Sequence, residues 1–496
     1  MDHDNHGSIA VLLPAPFGVR NVVYSGILES LTTAGVRVHL LLKHCPPALE
    51  TSRYPEFRHA ASCAQMLEAN GKQVVGRAFL NGVIQKAFTQ RHGINSYALY
   101  RQWFERDHSR PARLRSAAIE TIGAASRPAL SLRTLKWLSE QMYRAGYDLQ
   151  PFRRTLRNLA PDLLWSTTCS SPFEYPYVLA AKDLGIPVVA SILSFDNLTS
   201  RAAFPIYDHY LVWNERMRGQ LLKFYPSVSP GRISVTGTPQ FDFHRDPQFS
   251  WSRAKTLDQL GLDPGTNFFL YAASDESLAP EEPGLVSQIA NRMSRDALLN
   301  DYRLVVRLHP NDDGSRWSNL NFNSAKVVTC QAYGSNTKPI DRMLSTREDH
   351  ALLISSLLHA AACLNIVSTI SLDAAILDRP VIGIDFRNER NSPREIMYEE
   401  YETDHYRPLV ESGGLELAKN WDQLITLMRR ALSEPEADRQ QRALMVEREC
   451  GRVDGRARER VVETLLELLK DHVRCRDTHP LTENRISIPK RNYVTQ

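Results

Sequence analysis

Three hydroxyl side chains and one carboxyl side chain lie close together in the sequence between two apolar runs. The hydroxyls belong to Ser368, Thr369 and Ser371. They follow the apolar residues 364–367, and Asp373 comes before a second apolar run at 381–384. This pattern predicts a strand, the beginning of a short helix and a second strand. The hydroxyls and the free N–H groups of such a helix lie at the carboxyl edge of a parallel sheet, where the positive end of the helix binds phosphate.

Asp373 falls within the first turn of that helix, close enough to contact a ribose hydroxyl beside a bound phosphate. We therefore expect this stretch to bind a nucleotide. Helix capping is the alternative interpretation, because serine and threonine accept hydrogen bonds from the same N–H groups in many helices. The two interpretations are compatible, and only a bound ligand separates them.

The tetrapeptide Arg-Leu-His-Pro at 307–310 lies at the end of another predicted strand, residues 302–308. Side chains alternate along a strand, so Arg307 and His309 are expected on the same side of the chain, and the fixed φ of Pro310 ends the strand. A hydrogen bond from His309 to the backbone is the structural interpretation of this turn. The sequence thus predicts a cation and an imidazole at the end of one strand.

Three other kinds of site have no pattern in this sequence. His44 and His59 have no third ligand at metal-binding spacing, and the acidic pair 312–313 lies on the loop that follows the His-Pro turn. No serine occupies a Gly-x-Ser-x-Gly nucleophile elbow, and residues 17–20 contain a single glycine, too few for a dinucleotide-binding fingerprint. We expect neither a metal nor a cofactor, with the nucleotide acting as a substrate.

Composition fits a protein of more than one domain. The chain has 496 residues, 43% hydrophobic and 23% charged, and exceeds the size at which single cores stop growing. A net charge of +4 is too small to indicate a nucleic-acid partner. We find no apolar run long enough to cross a bilayer and no signal-peptide pattern, and the seven cysteines are scattered. We expect a cytoplasmic protein with reduced thiols.

Apolar runs and helical patterns alternate along most of the chain. The predicted strands include 9–13 and 187–191 in the first half and 268–272 in the second. Alternation of this kind predicts an α/β fold with two parallel sheets, each covered by helices on both faces. The turn chemistry changes near residue 240, so we expect two Rossmann-like domains that face each other across a cleft, with a hinge near 237–240.

The predicted boundaries divide the chain into four parts. They are a first domain at 1–240, a second domain at 241–455, an amphipathic helix at 456–472 and a polar tail at 473–496. A helical insertion at about 96–157 interrupts the first domain and carries twelve Lys and Arg residues against five acidic ones. Its basic amphipathic helices, over 101–157, predict a peripheral contact with the inner face of the plasma membrane. An ordinary solvated helical face is the alternative.

Six short segments, spread over both halves, resemble a known family. They are Arg20-Asn21, 194–200, 212–215, 236–242, 307–310 and 368–375. With the two alternating domains and the terminal helix, they resemble the GT-B glycosyltransferases of bacterial surface polysaccharide synthesis. Relatives of that group include UDP-GlcNAc 2-epimerases and CDP-glycerol glycerophosphotransferases. The resemblance covers both halves, leaves the basic insertion outside, and implies the GT-B fold.

The resemblance implies a donor site in the second domain. In similar transferases the Arg and His of such a turn contact the phosphates of the donor and offset the charge of the departing nucleotide. The donor-binding residues that it implies are Gly237, Arg307, His309, Ser368, Thr369, Ser371 and Asp373. Many similar enzymes carry glutamate near the last of these positions, so the shorter aspartate departs from their pattern.

The acceptor is expected in the first domain, where a base must take the proton of the attacking hydroxyl. Asp196 follows the predicted strand 187–191 at the carboxyl edge of the sheet, which makes it the candidate catalytic base. An Asx turn in the Phe-Asp-Asn-Leu loop is the alternative interpretation. The candidate acceptor contacts are Arg20, Asn21 and Asn197. Further candidates for the base are Glu174, His209 and Glu215.

The resemblance implies an enzyme that moves a sugar from a nucleotide-sugar donor to a surface-polysaccharide or lipid-linked glycan acceptor. Closure of the domains would exclude water, because hydrolysis of the donor competes with transfer. One alternative is a CDP-glycerol- or CDP-ribitol-type polyol-phosphate transferase, which would release CMP. Another is a UDP-GlcNAc 2-epimerase-like isomerase, which needs no acceptor. A non-catalytic polysaccharide-binding protein is the most distant alternative.

Overall fold

Two parallel β-sheets form the framework of the protein. The computed structural model describes residues 7–43, 54–68, 77–95, 110–129, 132–169, 171–200, 206–276, 279–318, 326–332, 345–386 and 400–478. The strands of the first sheet are β1 Ser8–Leu13, β2 Arg37–Leu42, β3 Ser62–Gln65, β4 Leu163–Ser166, β5 Val188–Ser191, β6 His209–Val212 and β7 Ile233–Val235. Those of the second are β8 Asn267–Ala272, β9 Tyr302–Arg307, β10 Val327–Cys330, β11 Cys363–Asn365, β12 Val381–Ile384 and β13 Glu416–Ala418.

The strand orders are β3-β2-β1-β4-β5-β6-β7 and β10-β9-β8-β11-β12-β13, and all described pairs are parallel. The predicted α/β fold with two Rossmann-like parallel sheets is confirmed. In each sheet the order reverses once, between β1 and β4 and between β8 and β11. Ligands of such folds bind at the carboxyl ends of the strands next to the reversal. The loops after these four strands are therefore the places to look for a site.

Helices connect the strands. Those of the first half are α1 Pro16–Val19, α2 Ile27–Thr33, α3 Arg77–His92, α4 Arg110–Ala129, α5 Leu132–Gly146, α6 Gln150–Leu159, α7 Tyr175–Leu184, α8 Asn197–Ser200 and α9 Glu215–Phe224. Those of the second are α10 Arg253–Gln259, α11 Glu282–Met293, α12 Ser315–Ser318, α13 Arg347–His359, α14 Ile370–Ile376, α15 Arg407–Glu411, α16 Trp421–Ser433, α17 Arg439–Cys450 and α18 Ala457–Thr478.

The apolar strands are buried on both faces. In β1, Ile9 and Val11 belong to one apolar cluster, whereas Ala10 and Leu12 belong to another. The second cluster continues into the second sheet, where it includes Phe268 of β8. Burial on both faces is the reason that these strands read as continuous apolar runs in the sequence. The two sheets therefore share one hydrophobic core at their junction.

Some elements differ from the sequence prediction. The sequence predicts a turn over 14–21 and then one helix through Leu31, but the structure has α1, a π-helical turn at Arg20–Tyr24 and α2. Gly26, with φ at 87°, separates the turn from α2. The short strands β3 and β13 escaped prediction, because three or four residues of mixed burial carry too little periodicity.

The last helix returns to the first sheet. Asp242 accepts hydrogen bonds from the N–H groups of Ala457 (3.1 Å) and Arg458 (2.8 Å) and so caps the beginning of α18. Leu465 on α18 is fully buried in the same apolar cluster as Ile27 of α2. The helix extends to Thr478, a few residues beyond the predicted boundary. The C-terminal segment thus packs on the N-terminal half of the chain.

The described part of the insertion is a group of helices outside the first sheet. Helices α3 and α4 cross closely at two glycines, since a Cβ on Gly123 would lie 2.6 Å from Cβ of Lys86. Val83 and Ile119 form a small core at this crossing. The predicted residues 96–109 of the insertion lie outside the described part. Among the described helices, none is long and apolar enough to cross a membrane.

Candidate functional site

The loop after β11 holds the predicted hydroxyl cluster in a strained conformation. Val367 has φ at 39°, which is unfavourable for a β-branched residue. The N–H of Val367 donates to the Tyr401 hydroxyl, and the N–H of Ser368 donates to the Tyr406 hydroxyl, both at 3.2 Å. Two tyrosines from a distant segment therefore hold this loop in place.

The three hydroxyls of the cluster have different environments. Ser371 is fully buried, donates to Oδ1 of Asn365 at 3.2 Å and lies 3.0 Å from the Tyr406 hydroxyl. Ser368 is half-buried, and Thr369 is exposed. Within the described residues, the N–H of Thr369 has no hydrogen-bond partner. Ser368 and Thr369 are therefore placed to contact a ligand, whereas Ser371 supports the loop from inside.

Asp373 lies on α14 and contacts the segment that joins the two domains. Its Oδ1 is 3.0 Å from Nε2 of His244, which is almost fully buried in the 3-10 helix Pro239–His244. The two atoms are close, but their geometry is not that of an aligned hydrogen bond. The predicted ribose contact would have to share Asp373 with this histidine.

Arg307 is a buried cation at the end of β9. It is 6% exposed, and one Nη donates to the carbonyl of Ala332 at 2.8 Å. The other, Nη1, is buried without a hydrogen-bond partner. No carboxylate in the described part of the chain pairs with this guanidinium. A buried cation without a counter-charge is costly, and an anionic ligand would remove that cost.

His309 lies two residues further, on the loop after β9. Its Nδ1 accepts a hydrogen bond from the N–H of Asn311 (3.2 Å) and is 3.6 Å from Asp275. Burial lowers the pKa of His309, against the opposing charges of Asp275 and Asp312. The neutral imidazole that accepts at Nδ1 carries its proton on Nε2. Nε2 therefore offers a hydrogen-bond donor to a ligand.

The acceptor candidates of the first domain begin with Arg20. The Nε of Arg20 donates to Oδ1 of Asn21 at 3.0 Å, and its Nη2 donates to Gln240, which lies in the segment between the domains. These two partners orient the guanidinium. Asn21 therefore helps to orient the side chain of Arg20.

His350 lies where the two halves meet. It stacks parallel to Phe243 with ring centroids 5.7 Å apart, and its Nε2 is 2.8 Å from the Ser345 hydroxyl. Burial lowers the pKa of His350 well below its usual value, and the charges of Arg20, Arg307 and Arg347 lower it further. Arg20 belongs to the first domain and Arg307 and Arg347 to the second, so charges of both domains act on this histidine.

Asp196 and Asn197 lie at the beginning of α8, after β5. Asp196 accepts hydrogen bonds from the Ser200 hydroxyl (2.9 Å) and from the Asn197 amide (3.3 Å). The Oδ1 of Asn197 accepts from the N–H of Ser194. Phe195, which precedes Asp196 in the loop, packs against Tyr406, with ring centroids 6.4 Å apart. Tyr406 therefore contacts both the loop that carries Asp196 and the hydroxyl cluster.

Gly237 follows β7 with φ at 77°. A Cβ at this position would lie 3.1 Å from Cβ of Ala457 and 3.2 Å from a guanidinium nitrogen of Arg460. The structure thus brings Gly237 against the beginning of α18 rather than against the loop after β11. Its predicted role in donor binding stays a prediction.

Two buried glutamates support the loops at the strand ends. Glu174 accepts from the Ser166 and Thr168 hydroxyls at 2.7 and 2.9 Å and from the N–H groups of Thr167 and Thr168. Glu282 accepts twice from the N–H of Ser274. Burial raises the pKa of each to about 7. Since Glu174 is enclosed, its geometry is that of a loop support and not of a base open to an acceptor.

A cavity of about 590 Å³ opens beside the acceptor loop. It borders Thr199 of α8 and is lined by cations of both domains, among them Arg216, Lys223, Arg407 and Arg448. Arg216 and Arg448 both pair with the buried Glu449. Arg407 pairs with Asp404, so three of the four named cations have an ion-pair partner.

Sequence reasoning missed the residues that come from distant segments. Tyr401, Tyr406, His244 and His350 belong to no local motif, and only the folded chain brings them to the site. Gln240 lies within the segment 236–242 that resembles the known family, but no sequence pattern predicts its contact with Arg20. In the described residues, no group of three potential metal ligands comes together.

A comparison with protein families matches residues 197–467 to the family described as CDP-glycerol:poly(glycerophosphate) glycerophosphotransferase. The match covers more than half of the chain. The chain belongs to this family. The glycerophosphotransferase family is one of transferases, and the resemblance predicted from the sequence is confirmed. The family match includes Arg307, His309 and the hydroxyl cluster, whereas Arg20, Asn21 and the basic insertion lie outside it.

Solved structures with the same fold include UDP-GlcNAc 2-epimerases. The S. aureus MnaA–UDP structure is 12% identical over 94% of this chain and 97% of its own, with a TM-score of 0.52. The Neisseria meningitidis UDP-GlcNAc 2-epimerase bound to UDP-GlcNAc is 13% identical over 93% and 100%, also with a TM-score of 0.52. These likenesses confirm the GT-B fold of this member of the glycerophosphotransferase family. No curated protein matches the sequence.

Proposed function

We propose that this protein is a transferase of cell-surface polymer synthesis that takes its transferred group from a nucleoside-diphosphate-linked donor. The observation that carries the proposal is the buried guanidinium of Arg307, which has no carboxylate partner among the described residues. Evolution rarely retains such a charge without a use, because it lowers stability. A diphosphate is an anion that would compensate it.

The donor would extend between the ends of β9 and β11. Nη1 of Arg307 and Nε2–H of His309 would contact the diphosphate, and the exposed N–H of Thr369 would donate to the same group at the beginning of α14. β8 lies between β9 and β11, so their ends are about 10 Å apart. One nucleotide covers such a distance. The strained loop at Val367 is already held in its conformation by Tyr401 and Tyr406, so binding would not have to order it.

The acceptor would approach from the first domain. Asp196 is the proposed base, and the cavity beside α8 offers room for the remainder of the acceptor. The acceptor hydroxyl loses its proton to the base as its oxygen attacks the donor. Arg20, oriented by Asn21 and Gln240, would lie opposite Arg307 and offset charge on the departing nucleotide.

Two transferred groups fit this arrangement. With a sugar, the acceptor oxygen attacks the anomeric carbon, the bond from that carbon to the phosphate oxygen breaks, and a nucleoside diphosphate leaves. With a polyol phosphate, the oxygen attacks the β-phosphorus of the donor, the bond from that phosphorus to the bridging oxygen breaks, and CMP leaves. The sequence predicts the sugar. The family match favours the polyol phosphate, because the family is named for CDP-glycerol.

Arg307→Gln tests the donor site. Glutamine removes the charge and keeps a polar amide, so nucleoside diphosphates should bind about 10- to 100-fold more weakly, as for the loss of a charged hydrogen bond. The ligand-free variant should be at least as stable as the wild type, since an uncompensated buried charge is gone. Calorimetric titration with CDP and UDP, together with urea denaturation, measures both effects.

The control for this experiment is Arg452→Gln, at a side chain that is 79% exposed. It should change neither binding nor stability. A purely structural role of Arg307 predicts the opposite result, with a large loss of stability and nucleotide affinity retained in the folded fraction. That result would remove the donor site from this loop.

The nucleotide released during turnover identifies the transferred group. The wild-type protein is incubated with an acceptor polymer and either CDP-glycerol or a UDP-sugar, and the nucleotides are separated. CMP supports polyol-phosphate transfer, and UDP with an extended polymer supports sugar transfer. UDP together with free ManNAc, in the absence of an acceptor, would instead establish epimerisation and contradict the proposal.

A further inference from the structure

The carboxylate of Asp275 lies beside His309, at the end of the neighbouring strand β8. Its Oδ2 is 3.6 Å from Nδ1 of His309 and accepts a hydrogen bond from the side-chain amide of Asn311 at 2.9 Å. The backbone N–H of Asn311 donates to the same Nδ1 at 3.2 Å. Nδ1 of His309 therefore faces two groups of opposite kind, a hydrogen-bond donor and a carboxylate.

The loop after β8, which carries Asp275, is fixed on several sides. The N–H of Ser274 donates to both carboxyl oxygens of Glu282, at 3.0 and 2.9 Å. The Ser274 hydroxyl donates to the carbonyl of Ile366 in the loop after β11 at 3.2 Å, and Nη2 of Arg316 donates to the carbonyl of Ser274 at 2.7 Å. The loop that carries Asp275 is thus held between the two loops assigned to the donor.

Three charged groups act on the imidazole of His309. Burial lowers its pKa, the charges of Asp275 and Asp312 raise it, and the charge of Arg316 lowers it. Asp312 accepts hydrogen bonds from Nε of Arg316 (2.6 Å) and from the indole N–H of Trp317 (2.8 Å), so the charges of Asp312 and Arg316 offset each other. Asp275 is the carboxylate that lies at ion-pair distance from Nδ1.

The two partners of Nδ1 favour different protonation states of His309. A neutral imidazole accepts the hydrogen bond from the N–H of Asn311, whereas an imidazolium carries a proton on Nδ1 that can be donated to Asp275. A diphosphate at Nε2 accepts a hydrogen bond in both states, but its negative charge favours the imidazolium. Binding of a diphosphate would therefore shift Nδ1 from its first partner to its second.

We propose that Asp275 is a positioning residue of the donor site: when the donor diphosphate binds, His309 takes up one proton from solvent, and its Nδ1–H donates a hydrogen bond to Asp275. The inference rests on the proposed function, because that function assigns the diphosphate to Nε2 of His309. The imidazolium adds its positive charge to that of Arg307 as the nucleotide departs. Asp275 contacts no substrate in this arrangement and acts through the histidine.

Calorimetric titration of the wild-type protein with CDP-glycerol and with UDP-GlcNAc tests the proton uptake. Both ligands are diesters of pyrophosphate whose phosphates do not titrate near neutral pH, so a proton taken up on binding goes to the protein. Titrations at about pH 7 in buffers of different ionisation enthalpy give the number of protons. We expect uptake of about 0.3 to 1 proton. Because the protonated state binds better, affinity should fall by up to about tenfold per pH unit between about pH 6 and about pH 8.

Asp275→Asn tests the role of the carboxylate. The amide oxygen still accepts from Asn311, but the charge that stabilises the imidazolium is gone. Proton uptake should fall close to zero. Affinity should be about 5- to 10-fold lower than that of the wild type at about pH 6.5 and equal to it at about pH 8.5, where His309 is neutral in both proteins. The matched control is Asp301→Asn, at an exposed carboxylate before the other end of β9, which should behave like the wild type.

The variant His309→Gln shows whether Asp275 acts through the histidine. Glutamine keeps an N–H donor for the diphosphate but does not titrate near neutral pH. In this background, Asp275→Asn should change the donor affinity by less than about twofold at every pH, since the residue through which it acts is absent. A loss of affinity as large as in the wild-type background would contradict the proposed role.

The same titrations distinguish a failure of this inference from a failure of the donor site. Donor binding without proton uptake, or with the same pH dependence in wild type and Asp275→Asn, overturns the role of Asp275 and leaves the donor site in place. Weaker binding to Arg307→Gln under these conditions would confirm that the donor site stands. A wild-type protein that binds neither donor removes the proposed function and this inference together.

Discussion

The buried carboxyl group of Glu174, which supports the loop after β4, makes the free energy of unfolding depend on pH. Burial raises its pKa to about 7 from an ordinary value of 4.5, against the lowering effect of its four hydrogen bonds. At pH values between these two pKa values, the carboxyl group of Glu174 keeps its proton in the folded protein but has lost it in the unfolded chain. The free energy of unfolding should therefore decrease as the pH rises from about 4.5 to about 7.

Glu174→Gln should remove this contribution. The amide oxygen can accept from the N–H groups of Thr167 and Thr168, and the amide N–H groups can donate to the Ser166 and Thr168 hydroxyls. Between about pH 4.5 and about pH 7, the free energy of unfolding of the variant should rise relative to that of the wild type by up to about 3 kcal/mol. Urea denaturation across this pH range measures the difference.

The control for this prediction is Glu215→Gln, at a carboxylate that is 74% exposed. It should follow the wild-type pH dependence. Part of that dependence should persist in Glu174→Gln, because Glu282 is buried and shifted in the same direction. A variant that is equally destabilised at every pH would mean that Glu174 is ionised in the folded protein.

At the scale of single residues, the sequence predicted which residue types occupy the candidate site better than it predicted which groups they contact. Arg307 and His309 were expected on one side of a strand, and the structure instead turns Arg307 inwards to Ala332 and His309 towards Asp275. The strand ends at Arg307, so alternation no longer applies at His309. Burial of Arg307 without a carboxylate partner is a tertiary property, and no local pattern encodes it.

The loop after β11 is the element on which the donor site depends. Its strand, hydroxyls and helix were predictable, because an apolar run followed by serine and threonine is a local signal. The support from Tyr401 and Tyr406 was not predictable, because these residues lie 34 and 38 positions after the residues that they contact. The sequence therefore predicts the presence of this loop, while the fold determines its conformation.

Tyr406→Phe tests this support. The phenyl ring preserves the packing, but the N–H of Ser368 and the buried hydroxyl of Ser371 each lose a partner. We expect a loss of about 1–3 kcal/mol in the free energy of unfolding, the cost of leaving buried polar groups without a hydrogen bond. Donor affinity should fall as well, since the loop would no longer be fixed before binding.

Tyr302→Phe is the matched control, because no hydrogen bond of the Tyr302 hydroxyl occurs within the described residues. It should leave both the free energy of unfolding and the nucleotide affinity within error of wild type. Urea denaturation and calorimetric titration provide the two measurements. Equal behaviour of the two variants would show that the Tyr406 hydroxyl does not support the loop.

At the scale of the whole molecule, the chain crosses between the sheets twice. The 3-10 helix Pro239–His244 leads from the first sheet to the second, and α18 leads back. Asp242 connects the two crossings by capping α18, while His244 contacts Asp373 next to the donor loop. A movement of one domain relative to the other would therefore change the contacts at two places, the Asp242 cap of α18 and the His244–Asp373 contact on α14. The hinge predicted near 237–240 lies in the first of these crossings.

The return of α18 makes a prediction about which parts of the molecule unfold together. Leu465 is fully buried against the N-terminal half, although it lies in the C-terminal helix. Leu465→Ala should lower the free energy of unfolding by about 2–5 kcal/mol, as for a cavity in a packed core. The exposed Glu463→Ala on the same helix should have little effect.

Hydrogen exchange locates that loss. Because α18 packs on α2 and β1, amides of the first sheet should exchange faster in Leu465→Ala, and those of the second sheet should change less. Uniform acceleration in both sheets would instead mean that the two domains unfold as one unit. The cluster of Leu465 also includes Ala351 and Ile354 of α13, but it contains no strand residue of the second sheet. The expected result is therefore a first domain whose stability depends on the last helix of the chain.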